Sequence, residues 1–97
     1  MQTRFEWDEA KNGSNQRKHR ISFEIASHVF ADPFALMAHD RVENGEERWQ
    51  TIGAIPGAVI VLVAHTVRFD DQTEIIRLIS ARKATTHERR RYEAQAY

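Results

Sequence analysis

The residues of this chain best suited to chemistry are cations placed beside a helix start. In the stretch 77–92, RLISARKATTHERRRY, the apolar alternation from Ile75 to Ile79 ends in Ser80, Ala81, Arg82 and Lys83. Thr85, with Glu88 three residues on, fits a capping box, in which each side chain satisfies the other residue's free backbone N–H. Arg82 and Lys83 therefore stand where a strand feeds a helix. A cationic junction on a rigid frame can hold a phosphate. Arg89, Arg90, Arg91 and Tyr92 follow on the helix. Charge count alone divides the Arg89–Arg91 run evenly between a binding surface and a solvated face.

Proton carriers are the second need. His65 titrates near physiological pH when unperturbed and could serve as general acid or base. A lone histidine on an apolar strand face is, however, more often a hydrogen-bonded core residue. Glu47 reads as a base or as the partner of a nearby arginine. Trp49 reads as sheet packing or as a stacking platform for an unpaired base. Tyr92 either packs its helix on the sheet or donates a proton. His19, His39 and His87 fall on different elements, and neither H-x3-H nor H-E-x-x-H spacing occurs, so no metal site is expected. The chain has no phosphate-cradling Gly-rich loop, no nucleophile elbow and no cysteine. The inventory suits phosphodiester cleavage in RNA without metal or cofactor. The 2′-OH attacks its own phosphate, cations stabilise the charge that develops, one group takes a proton and another gives one. The same inventory also fits a non-catalytic module that binds nucleic acid or protein.

Elements must position these groups. Phe5 and Trp7 alternate with charged neighbours, which predicts a short strand. Asp8 then caps a polar helix to about Lys18, weakened by Gly13, Ser14 and Asn15. His19 and Arg20 form a joint. Ser22 opens a second helix with Phe23, Ala26, Val29 and Phe30 at helical spacing, and Asp32-Pro33 stops it. From Phe34 the period becomes two. Strands are expected from Phe34, over Arg48–Ile55, over Ala58–Arg68 in a central position, and over Thr73–Ala81. They are separated by turns at 43–46, Pro56-Gly57 and 69–72, the first with an Asn-Gly step that favours positive φ. A helix from about Thr86 to Ala94 closes the chain. Short turns imply an antiparallel meander of the last four strands, with the helices collected on one face. Parity puts Val59, Val61, Val63 and His65 on one face and Ile60, Leu62, Thr66 and Arg68 on the other. In the last strand, Ile76, Leu78, Ser80 and Arg82 are expected to share a face, opposite Ile75, Arg77 and Ile79.

Ninety-seven residues with 41% hydrophobic and 29% charged content make one α+β domain spanning 1–97, of two packed layers. Its N-terminus carries no apolar signal-peptide core, and the longest apolar run, Ala58 to Ala64, is too short to span a bilayer. A cytoplasmic location without membrane attachment is expected. Formal net charge is zero, yet residues 82–92 carry about +4 and residues 32–50 about −3. Such a chain can bind an anion locally without general stickiness.

Taken together, FEWDEAKNGSNQRKHRISFEIASHVFADP (5–33), EERWQTIG (46–53), AHTVR (64–68) and IIRLISARKATTHERRRYE (75–93) resemble the BrnT family of bacterial type II toxins. The resemblance implies a RelE-like fold, an antiparallel sheet of four to five strands with two N-terminal helices and a C-terminal helix. It implies a ribonuclease that blocks translation and is neutralised by a BrnA-type antitoxin. That antitoxin alone would contact operator DNA, and a toxin homodimer within the complex is allowed. By resemblance, Lys18 and His19, Glu47 and Arg48, His65 and Arg68, and Arg82 and Lys83 fall on the family's polar motifs. Arg68 and Arg82 then stand as phosphate-contacting residues, with His65 and Glu47 for proton transfer. Lys83, Arg89, Arg90, Lys18 and Trp49 are expected to bind RNA.

Overall fold

The computed structural model describes residues 1–95. Its elements are β1 (Gln2–Glu6), α1 (Glu9–His19), α2 (Phe23–Ala26) running into a 3₁₀ segment (Ser27–Ala31), β2 (Leu36–Glu43), β3 (Glu46–Ile55), β4 (Val59–Asp70), β5 (Thr73–Lys83) and α3 (Thr86–Gln95). The expected α+β class and element order hold. One five-stranded sheet has the order β1-β5-β4-β3-β2, so the apolar β4 is central. The last four strands form the antiparallel meander, whereas β1 returns beside β5 in parallel.

Local chemistry accounts for the boundaries. Asp8 accepts hydrogen bonds from Ala10 N (2.8 Å) and Lys11 N (3.2 Å), and Arg20 ends α1 in the left-handed region at φ 63°. Ser22 caps α2. The expected second helix is shorter than its apolar spacing suggested, because Ser27 Oγ donates back to the Glu24 carbonyl (2.7 Å) and the chain tightens into 3₁₀ geometry. β2 starts at Leu36 rather than Phe34, since Asp32 holds Phe34 N and Ala35 N in a turn. β3 starts at Glu46 rather than Arg48. The Asn44-Gly45 turn has both central φ positive, 54° and 75°, so Glu43 and Glu46 pair at once. The 69–72 turn contracts to Asp71-Gln72, with Asp70 already paired to Thr73.

The core lies between the sheet and the N-terminal helices, and includes Phe23, Ala26, Val29, Val61, Val63, Leu78 and Ala81. Gly53 admits the 3₁₀ segment. A Cβ there would sit 2.9 Å from the Val29 Cβ. The polarity that weakens α1 as an isolated helix is what docks it. Buried Asn15 bonds Ala81 through both its amide groups, accepting from Ala81 N (3.0 Å) and donating to Ala81 O (2.8 Å). It thereby replaces a strand partner on β5 beyond the end of β1. Asn12, also buried, accepts from Phe23 N (2.8 Å).

A bulge corrects the expected parity of β5. Ala64 pairs with Ser80 and His65 with Leu78, which leaves Ile79 as the extra residue. Ala81, not Ser80 or Arg82, therefore joins Ile76 and Leu78 in the core. Arg82 pairs with Leu62 on the opposite face. The helices consequently do not collect on one face. Glu88 of α3 follows Arg82 to the second face.

Candidate functional site

The expected proton carriers and cations separate across the sheet. His65 lies on the helix side, fully buried, with Phe30 edge-on at 4.8 Å between ring centroids. Its Nε2 is 2.7 Å from Thr51 Oγ1. Burial pushes its pKa down to about 4, weakly opposed by the Thr66 carbonyl, so the ring is neutral at pH 7. Glu47 and Trp49 share this side of the sheet. Glu47 is exposed, 3.9 Å from His39 Nε2, and Trp49 meets the His39 ring edge-on at 5.1 Å.

Arg68 and Arg82 lie on the second face but at opposite ends of it. Arg68 is opposite Ile75 and Arg82 opposite Leu62, six residues apart along β4. That is about 20 Å at the usual rise of a strand. Arg82 is also fully engaged: its two Nη groups grip both Glu88 oxygens, at 2.8 and 3.0 Å. This grip, opposed by burial and helped by Thr85, holds the Glu88 carboxyl down at about 2. Glu88 accepts from Thr85 N and Thr85 Oγ1 accepts from Glu88 N, so the capping box forms as expected. Arg82 thus fastens α3 to β5. Tyr92 fastens the other end, its hydroxyl donating to Asp32 Oδ2 (2.5 Å), which pushes the phenol up to about 12. The four expected catalytic residues do not converge on one point.

What converges instead is a lattice of arginine and glutamate on the second face near the β4–β5 turn. Register places Arg4, Ile75 and Arg68 in one row and Glu6, Arg77 and Thr66 in the next. Arg48 and Arg41 are opposite each other, and Glu46 and Glu43 next to them. Arg68 reaches Glu6 at 2.6 Å, Arg77 reaches Glu46 at 2.6 Å, and Arg48 reaches Glu43 at 3.3 Å. The hydrogen bond from Arg68 keeps the Glu6 carboxyl below its usual range against the opposing effect of burial. The field of Glu46 also acts on Arg68. Ile75 and Thr66, which share these two rows, are both buried. Arg48 keeps a buried Nε with no hydrogen-bond partner among the described residues.

Sequence reading missed Arg77 and Glu46. The available signal was parity: Glu46, not Glu47, is in phase with Arg48, and Arg77 is in phase with Ile75 opposite Arg68. Lys18 stands exposed in the last turn of α1 and Lys83 exposed at the end of β5. Arg90 is exposed on α3, and Arg89 is 3.9 Å from Glu93. These four line the far end of the molecule rather than the lattice. Among the described residues, no three His, Asp or Glu side chains gather to hold a metal ion.

No curated protein matches the chain in sequence. Among solved structures, it is similar to the 1.1 Å crystal structure of the Brucella abortus ribonuclease toxin BrnT. The two share 20% identity over 89% of this chain and 100% of that one, with a TM-score of 0.59. At that identity the likeness establishes the fold. The family described as the ribonuclease toxin BrnT of type II toxin–antitoxin systems matches residues 7–88. That span takes in α1 and its capping Asp8, the whole β2–β5 meander and Glu88, so this chain belongs to the BrnT family of ribonuclease toxins.

Proposed function

We propose that the chain is a metal-independent endoribonuclease that inhibits translation by cutting RNA and is neutralised by a BrnA-type antitoxin. The observation that carries the reading is the arginine–glutamate lattice on the open sheet face, centred on Arg68, Arg77 and Glu46. A phosphodiester is a stronger, multi-oxygen partner for guanidinium than an exposed glutamate, whose ion pair contributes little in water. Phosphate displaces Glu6 from Arg68 and Glu46 from Arg77. Displacement frees the Glu46 carboxylate next to the bound phosphate, where it accepts the 2′-OH proton. The 2′-oxygen bonds to phosphorus, the bond to the 5′-oxygen breaks, and water on this exposed face supplies the leaving oxygen's proton. The products are a 2′,3′-cyclic phosphate and a free 5′-OH. Arg68 and Arg77 hold the charge on the phosphorane-like transition state. Arg48 lies beside them, and Lys18, Lys83, Arg89 and Arg90 supply longer-range attraction for the strand. His65 and Glu47, across the sheet, take no part in the proton transfers.

The test is incubation of the purified protein with single-stranded RNA in excess chelator. Cleavage to cyclic-phosphate ends is expected from the wild type, with a loss of 100-fold or more, about 3 kcal/mol, in Arg68→Ala/Arg77→Ala. Full cleavage by that double variant, folded by circular dichroism, overturns the site. Tight RNA binding without cleavage by the wild type overturns the enzyme in favour of a binding module.

A further inference from the structure

The two sides of the sheet are chemically opposed at the same end of the molecule. Arg4, Arg41, Arg48, Arg68 and Arg77 all lie on the second face, by register. The helix side there carries apolar side chains that the N-terminal helices leave uncovered. A cleft of about 460 Å³ opens between the 3₁₀ segment and the sheet, with Phe30 above and Phe5, His65, Val67 and Ile76 below. From Met37 at the cleft wall this side continues to Val42 and Phe69; the three are 51%, 59% and 61% exposed. Val42 pairs with Glu47 and Phe69 with Glu74, which sets both on the helix side. Several large exposed apolar side chains continuous with an apolar cleft mark an interaction surface. Its charged rim is acidic. Glu47 and Glu74 face it from β3 and β5, and His28 and His39 stand beside them. A nucleic acid would meet carboxylates here.

We propose that this side docks an amphipathic helix of the antitoxin, apolar on its inner face and flanked by lysine or arginine. Naming the antitoxin as occupant rests on the toxin reading above; the surface and its chemistry do not. A helix fits better than an added strand. Of the two edge strands, β1 is only five residues long, and β2 is interrupted by a bulge at Asp40, which breaks the ladder a strand would extend. The cleft instead offers a roofed apolar slot of the kind that takes side chains spaced along one helix face. The acidic rim selects basic flanks and speeds their encounter. Antitoxin anchor and RNA lattice then lie back to back on one sheet, so anchoring does not by itself cover the arginines.

The probe is the antitoxin encoded with this toxin, and the variants are Met37→Glu/Phe69→Glu and, separately, Glu74→Lys. The double variant is expected to weaken antitoxin binding by 100-fold or more while RNA cleavage by the free toxin stays unchanged. Glu74→Lys is expected to slow association by roughly tenfold at low salt. Unchanged affinity in the double variant overturns the proposal, as does parallel loss of RNA cleavage, which would assign this side to the substrate. Sedimentation of the toxin alone provides the third arm: a dimer abolished by the double variant would make the occupant a second copy. If the wild type binds antitoxin in a variant-sensitive way but never cleaves RNA, the ribonuclease reading fails and the docking surface stands.

Discussion

Burial decides the chemistry of His65. The unfolded chain takes up a proton near pH 6.5, and the folded chain refuses it until about pH 4. Between those values the unfolded state binds more protons, so stability falls as pH is lowered through the window, by at most roughly 3 kcal/mol. Denaturant melts of wild type and His65→Gln at pH 4.5 and pH 7 should show a steep pH dependence in the first and a shallower one in the second. Equal dependence would mean that other groups carry the acid sensitivity. Arg82 makes a related point. Its residue type and place at a strand end are right for phosphate, but both Nη groups are already spent on Glu88. Arg68, by contrast, holds the carboxylate of Glu6, which is half-buried yet more exposed than that of Glu88, and phosphate can displace it.

At the scale of elements, the connections rest on a few buried polar groups and one missing side chain. Asn15→Ala removes three hydrogen bonds, one to the Ile21 carbonyl and two to Ala81. It leaves the Ala81 N–H without its partner in a buried setting, which should cost roughly 2–4 kcal/mol in chemical denaturation. A cost below 0.5 kcal/mol would show that α1 docks by apolar contact alone. Gly53→Ala forces a methyl against Val29 and should destabilise by roughly 1–3 kcal/mol, with partial recovery in Gly53→Ala/Val29→Ala. These devices were partly legible. Asp8, Ser22, Thr85–Glu88 and Asn44-Gly45 act through neighbours within a few residues, and each formed as its sequence predicts. Asn15 could be read only as a weak helix residue, because its partner, Ala81, is 66 positions away.

For the whole molecule, zero net charge hides a division of charge across one sheet. Binding of a short single-stranded RNA should weaken steeply with salt, and Arg68→Ala should lower the slope of log affinity against log salt by about 1. Phe69→Ser, on the other side, should leave it unchanged; a fluorescence titration at several salt concentrations checks both. The amino-acid sequence alone determined the α+β class, the element order, the turns, the central apolar β4 and the family, because these depend on periodicity, local capping and ordered motifs. Tertiary structure alone decided which charged groups meet. A single unpaired residue, Ile79, reverses the facing of everything after it in β5. A parallel return of β1 brings Glu6 to Arg68, 62 positions away. Period-two parity is a local rule. It is broken by a bulge whose position depends on the partner strand, and it is silent on which strands become neighbours.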